Sequence, residues 1–518
     1  MNKNHVRYFL FAFMAFSLQL SAQKLTVDKV YSVKLRGSGT IQENEQIKGY
    51  YFLYQSDKID KKTNEYTLQI LDENLKNSKD IKFTDSKDVV LLESSYNGDA
   101  ISFLFYNDEE NTLDYRLYNM EGKQTYTYTK ILDKKSEAYF KQALKTSSSE
   151  ESENKNVFDI PKKGFLSITP LRENKKYTYD INFYSSAKKK SWTYDPLEDG
   201  KFTQAQYLGA NDSIALVEVL SKEKLMSKEV ESTILGISLA TGKKVFEVRT
   251  QDGKHQLYPM NIYMLKDQNE FLITGLYYEG TERIMQDKSQ GLGIWMMDNK
   301  GKIVRSKYMS WTKDLGKHLT VNEKGRIEDM GYVYIHKLMQ TEDGKIFAIG
   351  EGYKKVADGV GIALNILTQS YSAGVTKLKV TNMMMLELSK DFDLTKAKIY
   401  EKNSNNFSLG TGSDFSSPHS LALFAKAYGA FDYNYTQMGK NNASFNSAYT
   451  DYEKSKGYKG MVFHSINYNE GKITTDQINL KSEASQLVIL PGKPGTVLLI
   501  EYFKKDKKLE FRMEKLNS

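Results

Sequence analysis

The sequence predicts an all-β protein folded as a single β-propeller of about seven four-stranded blades, with eight blades as the alternative. Three observations favour this fold. A hairpin with a lysine-rich tip recurs seven times, a more apolar hairpin precedes many of the copies, and the 518 residues contain no cysteine. A chain of this length with 40% hydrophobic residues has ample material for a large packed core.

The lysine-rich hairpin consists of a short strand rich in Val, Ile, Leu, Tyr and Phe, a polar turn and a second strand. In several copies Asn, Asp or Gly precedes Lys in the turn, and these residues tolerate the left-handed backbone that tight hairpins need. The seven copies are Tyr66–Phe83, Asp114–Lys130, Tyr179–Tyr194, Thr233–Val248, Gly293–Tyr308, Met384–Tyr400 and Phe463–Leu480.

The second hairpin is apolar on both faces of its strands. Its copies are Val89–Tyr106, Tyr207–Leu220, Tyr263–Tyr278, His336–Gly352 and Leu487–Phe503. Strands that are apolar on both faces are covered by other sheets on both sides, whereas the lysine-rich strands are outer strands. One apolar and one lysine-rich hairpin together make a four-stranded unit, and such units stacked side by side form a propeller.

The two ends of the chain predict how the ring closes. The last unit, Gln486–Leu516, offers three strands only, and the N-terminal segment Lys24–Leu35 can supply the fourth. Closure of this kind removes exposed sheet edges, which otherwise promote aggregation.

A polar stretch at Lys145–Asn156 leaves open a different organisation, two stacked β-sandwich domains joined by a linker. It follows Ser136–Leu144, in which Tyr139, Phe140, Ala143 and Leu144 fall at helical spacing. Because the hairpins continue unchanged on both sides, we interpret 134–156 as a helix-plus-loop insertion between blades.

Two further insertions are predicted, near 353–380 and at 428–458. The first contains Val356–Val375, whose apolar residues suggest a short helix or cap. The second, Tyr428–Tyr458, is long, polar and aromatic, and loops of that length in compact domains are usually functional or disordered.

The N-terminus indicates an exported protein. Lys3 and Arg7 precede an apolar run from Tyr8 to Leu18, and Ser21-Ala22-Gln23 resembles a cleavage site, so 1–22 are expected to be a signal peptide. A membrane anchor is the alternative, but the run is shorter than the roughly 20 residues that a bilayer requires. We therefore expect a periplasmic or extracellular protein without a transmembrane segment in its mature part, residues 23–518.

Composition excludes several classes of site. Without cysteine there is no disulfide framework, thiol nucleophile or Cys-ligated metal. The histidines are scattered, so we expect no metal and no cofactor. Removal of Lys3 and Arg7 takes the formal charge from +8 to +6. The positive charges are interleaved with negative ones, so nucleic acid is not an expected partner.

The sequence resembles exported propeller-like proteins of Bacteroidota, many of them in families of unknown function. The resemblance rests on the signal-like segment Met1–Gln23, the absence of cysteine and the tyrosine- and lysine-rich hairpins between Tyr66 and Leu480. This resemblance covers nearly the whole chain and implies a propeller fold. It implies no catalytic residues.

Three glutamates lie on apolar strand faces and are candidate site residues: Glu218, Glu387 and Glu501. A carboxylate on an apolar face is costly unless it is paired, and carboxyls with raised pKa values at functional sites often have this setting. A pair of them could hydrolyse glycosides. The alternative is a glutamate hydrogen-bonded between blades or facing the central channel.

The aromatic residues of 428–458 are candidates for binding, above all Tyr433, Tyr435, Tyr449 and Tyr452. Tyrosine offers flat apolar area with a hydrogen-bonding tip, which suits sugar rings and partner proteins. We therefore expect a non-enzymatic binding or scaffold protein that recognises an envelope protein or a glycan through its loop face. A carboxylate-dependent hydrolase resembling a glycoside hydrolase is the alternative.

Overall fold

A computed structural model describes residues 23–516 except 44–45, 77, 147–154, 174–175, 189, 197–200, 225, 266–268, 358–375, 410–415 and 456. The predicted signal peptide therefore lies outside the described residues, as does nearly all of Val356–Val375. No helix among the described residues is long and apolar enough to cross a membrane.

The first half of the chain forms a short initial strand and four blades. The initial strand is β1 (Lys24–Val27). Blade 1 consists of β2 (Ser32–Glu43), β3 (Gln46–Lys58), β4 (Thr63–Asp72) and β5 (Ser78–Ser86), and blade 2 of β6 (Val89–Tyr96), β7 (Ala100–Asn107), β8 (Thr112–Asn119) and β9 (Gln124–Ile131). Helix α1 (Lys134–Thr146) follows. Blade 3 consists of β10 (Phe158–Ile160), β11 (Gly164–Glu173), β12 (Lys176–Ser185) and β13 (Ser191–Tyr194), and blade 4 of β14 (Phe202–Ala210), β15 (Ile214–Lys222), β16 (Glu231–Ser238) and β17 (Lys244–Arg249).

The second half forms four more blades. Blade 5 consists of β18 (His255–Leu265), β19 (Glu270–Glu279), β20 (Gly291–Met297) and β21 (Ile303–Ser310). Blade 6 consists of β22 (Tyr332–Gln340), β23 (Ile346–Ala357), β24 (Thr376–Leu388) and β25 (Leu394–Tyr400), with β26 (Asn405–Ser408) added on β24. Helix α2 (Pro418–Ala427) precedes blade 7, which consists of β27 (Tyr433–Met438), β28 (Ser444–Lys454), β29 (Lys459–Asn469) and β30 (Lys472–Leu480). Blade 8 contains β31 (Gln486–Pro491), β32 (Thr496–Phe503) and β33 (Lys508–Lys515).

The ring closes as the sequence predicts. Strand β1 pairs antiparallel with β33 and becomes the outer strand of blade 8. The rings of Phe52 in blade 1 and Phe511 in blade 8 pack with centroids 4.2 Å apart. The chain is thus a single β-propeller of eight blades, the higher of the two predicted counts, and two separate sandwiches are excluded.

The repeated hairpins have the predicted places in the blades. All seven lysine-rich hairpins are the third and fourth strands of blades 1 to 7, and the apolar hairpins are the first and second strands of blades 2, 4, 5, 6 and 8. Glycines with positive φ precede lysines in four of the outer turns, at Gly122, Gly242, Gly301 and Gly471.

The core is divided among the contacts between blades. The described residues form eight hydrophobic clusters, one between each pair of adjacent blades. Phe140 of α1 is buried in the cluster between blades 2 and 3, so the predicted helix is confirmed. Asp133 caps this helix because its carboxylate accepts hydrogen bonds from the backbone N–H groups of Lys135 and Ser136.

The predicted insertion at 428–458 is wrong. Strands β27 and β28 lie within it and form the first half of blade 7. These strands were not recognised from the sequence because Tyr433–Met438 is polar and aromatic and has no run of aliphatic residues.

The two faces of the ring differ. Among the described strands, the turns from first to second and from third to fourth strand span two to five residues. The other described connections open on the opposite face, and they include the intervals 280–290 and 311–331 and the described parts of 132–157 and 401–432. We call this the long-connection face and the other the short-turn face.

The innermost strands share a backbone irregularity that aims their side chains. A β-bulge interrupts the pairing of first and second strands in blades 2, 4, 5, 6 and 7, between Leu91 and Glu93, Tyr207 and Gly209, Pro259 and Asn261, Ile335 and Lys337, and Tyr433 and Tyr435. A bulge adds one residue and redirects its neighbours. In blade 6 the bulge places His336 against buried Glu351 and leaves the next residue, Lys337, exposed.

Candidate functional site

The densest group of ionisable side chains lies between blades 6 and 7 and is centred on Glu351. This residue is in β23, next to the bulge of blade 6, and is fully buried. The bulged residue, His336, places its Nε2 atom 3.2 Å from Oε2 of Glu351. The bulge therefore supplies the first partner of a buried carboxylate.

The interval 401–432 supplies the other partners. The Lys402 ammonium lies 3.1 Å from Oε1 of Glu351 and also forms an ion pair with Asp432. The backbone N–H of Asp432 lies 3.1 Å from both carboxylate oxygens of Glu351, and that of Tyr433 lies 3.2 Å from Oε2. Both ends of this connection are thus tied to one buried glutamate.

These contacts set the protonation states. Burial raises the pKa of Glu351, but the charge of Lys402 and the hydrogen bond from His336 outweigh it, so the pKa is below the ordinary value. For Lys402, burial lowers the pKa, while the two carboxylates raise it to a net value above normal. Burial and the charge of Glu351 raise the pKa of Asp432 to about 7.

A second branch continues from the next residue. The backbone N–H of Asn403 donates to Oδ2 of Asp451 at 2.6 Å, and Oδ1 of Asp451 lies 3.1 Å from Nε2 of His464. Burial raises the pKa of Asp451, but the hydrogen bonds from His464 and Asn403 more than offset this, so it is lowered. We call Glu351, Lys402, Asp432, His336, Asp451 and His464 the ionic network.

The chemistry open to the ionic network is limited by access. Two carboxyls with pKa values pushed apart can serve as an acid–base pair. The side chains of Glu351 and Lys402 are fully buried, however, and that of Asp432 is 15% exposed. Their atoms contact one another and backbone N–H groups, so this arrangement anchors a long connection.

Two of the predicted tyrosines flank the ionic network. Tyr433 stacks on His336 with ring centroids 4.6 Å apart, and Tyr449 stacks on His464 at 4.8 Å. Tyr435 lies at the contact of blades 7 and 8, with its ring centroid 6.5 Å from that of Phe463. Tyr452 alone of the four is well exposed, at 47%. They do not form one surface, and their role in binding stays a prediction.

The three predicted glutamates lie far apart in the ring. Glu218, in β15 of blade 4, accepts a hydrogen bond from Ser232 at 2.8 Å. Glu387, in β24 of blade 6, lies 3.5 Å from the Lys345 ammonium. Glu501, in β32 of blade 8, accepts two hydrogen bonds from Arg512, at 3.0 and 3.2 Å. The structure therefore brings no two of them together.

Sequence reasoning missed the centre of the ionic network, although a signal was present. Glu351 is an acidic residue within the apolar strand segment Ile346–Tyr353, just as Glu218 is an acidic residue within the apolar strand β15. Its partners Lys402 and Asp432 carry no such signal, because they are charged residues of a polar connection. Among the described residues, no group of three or more His, Cys, Asp or Glu side chains is placed to hold a metal ion.

Comparison with known proteins shows the family. A family model described as a family of unknown function, DUF6770, matches residues 1–517. The chain belongs to this family. No curated protein matches the sequence.

Solved structures show distant likenesses to propeller-containing proteins. The WD40 domain of SCAP from fission yeast is 8% identical, with a TM-score of 0.38 over 96% of this chain and 95% of that chain. Prolyl oligopeptidase B from Galerina marginata is 8% identical, with a TM-score of 0.40 over 91% of this chain and 56% of that chain. Dipeptidyl peptidase 4 of Porphyromonas gingivalis is 10% identical, with a TM-score of 0.36 over 88% and 56%.

Proposed function

We propose that this DUF6770 protein is a non-enzymatic binding protein that recognises a partner protein of the cell envelope through its long-connection face. The distribution of exposed apolar side chains carries the proposal. The N-terminal sequence, with its positive residues, apolar run and cleavage-like Ser21-Ala22-Gln23, supports the exported location.

In the part of the chain that the structure describes, nine large apolar side chains are well exposed, and seven of them lie on the long-connection face: Tyr31, Ile59, Ile131, Tyr139, Met226, Tyr428 and Tyr452. The other two, Val245 and Val304, lie near the starts of outer strands, beside the short-turn face. Single exposed apolar residues need no explanation, but a strong bias to one face does.

The identity of these residues favours a protein as the partner. Tyrosine and methionine are enriched in protein–protein interfaces, where they supply large contact area at low entropic cost. Four of the seven side chains are tyrosines and one is methionine. A glycan partner would need aromatic side chains arranged around a recess, whereas these side chains are distributed around the circumference of the propeller.

A paired set of variants tests the proposal. Tyr428→Ser with Tyr452→Ser removes two exposed rings from the long-connection face, and Val245→Ser with Val304→Ser removes two exposed side chains elsewhere. The wild-type chain would be immobilised and used to capture envelope proteins, and the dissociation constant of the captured protein would be measured for each form. We expect the tyrosine pair to weaken binding by about tenfold or more and the valine pair to leave it unchanged.

Three results would contradict this expectation. The two pairs of variants could weaken binding equally, the wild-type chain could capture no protein, or a glycan array could show binding that depends on the same tyrosines. Circular dichroism and thermal melting of each variant would verify that the ring is intact.

A further inference from the structure

A cavity of about 300 Å³ lies between blades 5 and 6 at the short-turn face. Blade 5 lines it with Leu272, Met296 and Arg305, which are cross-strand partners on β19, β20 and β21 and therefore lie side by side on one face of the sheet. Blade 6 lines it with Ile346 of β23 and the cross-strand partner of that residue, Gln340 of β22. Pockets that hold small ligands in proteins begin at about this volume.

The turn from β24 to β25 adds Phe392 to the walls of the cavity, and the backbone of this residue is left-handed, with φ at +66°. The turn from β20 to β21 has the same two backbone hydrogen bonds and places Gly301 at the equivalent position. A left-handed backbone is unfavourable for a bulky residue and easy for glycine, and strained residues are concentrated at functional sites. The Phe392 ring is buried, with its centroid 4.0 Å from Cζ of Arg305. The strained residue therefore supports the cation of the cavity.

Arg305 has a donor that the described part of the chain leaves without an acceptor. Its Nη1 donates to Asp391 at 3.3 Å and its Nη2 to the carbonyl of Lys390 at 2.9 Å, whereas its Nε–H is buried and has no hydrogen-bond partner among the described residues. A buried donor without an acceptor is unfavourable, most of all on a charged group, and a bound ligand can supply the acceptor. A carboxylate suits this guanidinium because its two oxygens can accept from two of the N–H groups at once.

The other walls favour an aliphatic ligand with a single negative charge. Leu272, Met296 and Ile346 bring aliphatic carbon and one thioether to the cavity. Of the charged residues that line it, Arg305 and Lys390 are cationic and Asp391 is anionic, which leaves one net positive charge. Lys390 and Asp391 are also exposed, so the cavity is reached from solvent. An aliphatic group would pack on the apolar walls while its carboxylate neutralises the cation.

We propose that this cavity binds the carboxylate of a small aliphatic acid, with Arg305 as its anchor. The carboxylate belongs either to a free acid or to the C-terminal residue of a peptide, since both present the same two groups. The site lies on the short-turn face and does not depend on the partner proposed for the long-connection face.

Saturation-transfer NMR titrations of the full chain test the site, with isocaproate as the probe and isocaproamide as its neutral counterpart. We expect saturable binding of the acid and about tenfold weaker binding of the amide, because the charged hydrogen bonds to Arg305 are lost. Arg305→Met should weaken binding of the acid about fivefold or more for the same reason. Arg249→Met, at an exposed position of the outer strand β17, should leave the affinity unchanged. N-acetyl-glycyl-glycyl-leucine distinguishes the two sources, since it binds as tightly as isocaproate only if the cavity admits a peptide terminus.

A variant with the opposite effect keeps the test decisive if Arg305→Met folds poorly. Asp391 is exposed and competes with the ligand for the guanidinium, so Asp391→Asn should tighten isocaproate binding about twofold or more. The proposal would be overturned if the wild-type chain showed no saturable binding, if the amide bound as tightly as the acid, if Arg249→Met weakened binding as much as Arg305→Met, or if Asp391→Asn left the affinity unchanged.

Discussion

Blades 4 and 6 place a glutamate at the same position of the fold and give it opposite charge states. Glu218 and Glu351 each lie on the second strand, one residue beyond the pair opposite the bulge. Both are buried, at 1% and 0% exposure. Burial raises the pKa of Glu218 to about 8, whereas the pKa of Glu351 is lowered. Glu218 is thus neutral and Glu351 ionised near neutral pH.

The difference comes from the partners. Glu351 contacts an ammonium, an imidazole and two backbone N–H groups. Glu218 accepts one hydroxyl hydrogen bond, and its Oε2 atom has no hydrogen-bond partner among the described residues. The long interval 401–432 brings Lys402 to blade 6, and the connection after blade 4 is short. The charge state of the glutamate at this position of a blade therefore depends on whether a long connection brings a cation to it.

The largest expected effect is the loss of the cation from blade 6. Lys402→Met leaves Glu351 and Asp432 buried together without the ammonium that neutralises them. Breaking a buried ion pair by removal of one partner destabilises a protein by about 3–5 kcal/mol. Urea unfolding followed by fluorescence measures this loss of unfolding free energy.

Lys396→Met is the matched control, since this lysine of β25 is exposed. It should change stability by less than about 0.5 kcal/mol. Equal stability of both variants would show that the ionic network does not stabilise the junction of blades 6 and 7. The different partners of Glu351 and Glu218 would then make no difference to the unfolding free energy.

A smaller effect with a distinct pH dependence is expected for Glu218→Gln. The folded pKa of about 8 lies above the ordinary value of 4.5, so the unfolded chain loses this proton first as the pH rises. The wild-type protein therefore loses stability between these two values, by about 1.4 kcal/mol per pH unit, and glutamine removes this loss. The stability of the variant relative to wild type should rise by about 2–3 kcal/mol between about pH 5 and about pH 7.

Unfolding free energies of both proteins at the two pH values measure this change. Glu229→Gln, at an exposed position of the connection after β15, should show no such difference. A pH-independent difference for Glu218→Gln would mean that Glu218 is ionised in the folded protein, as Glu351 is.

The smallest expected effect comes from Ser232→Ala, which removes the side-chain hydrogen bond that Ser232 donates to Glu218. A typical buried hydrogen bond contributes about 1 kcal/mol, and the alanine variant should be destabilised by that amount. Because this hydrogen bond lowers the folded pKa of Glu218, its loss should extend the pH-dependent decline of stability to higher pH, while the onset of the decline stays at the unfolded pKa. Exposed Ser213→Ala is the control, and equal behaviour of the two alanine variants would contradict the assigned contact.

Much of the architecture was predictable, because hairpins are local. Alternating strands and turn residues such as Gly122 and Gly242 lie together in sequence, so each pair of strands and its outer turn could be recognised. The N-terminal strand of blade 8 was predictable for another reason: the last unit lacked a strand. Blade 7 was misread because Tyr433–Met438 and its neighbours are polar on a strand that the pattern expects to be apolar.

The site was less predictable. An acidic residue in an apolar strand was a usable signal and identified Glu218, Glu387 and Glu501. The same signal is present at Glu351 but was not used. No sequence pattern shows that Lys402 approaches Glu351, since the contact depends on the path of a polar connection.

The sequence by itself determined the repeating strands, their pairing within each blade and the burial of several carboxyls, because these follow from alternation and turn chemistry between neighbours in the chain. Only the tertiary structure decided the number of blades, the two unequal faces and the charge state of each buried glutamate. A buried carboxyl keeps its charge when cations and N–H groups reach it, and at Glu351 the ammonium and the two N–H groups come from a long connection and the first residue of the strand after it.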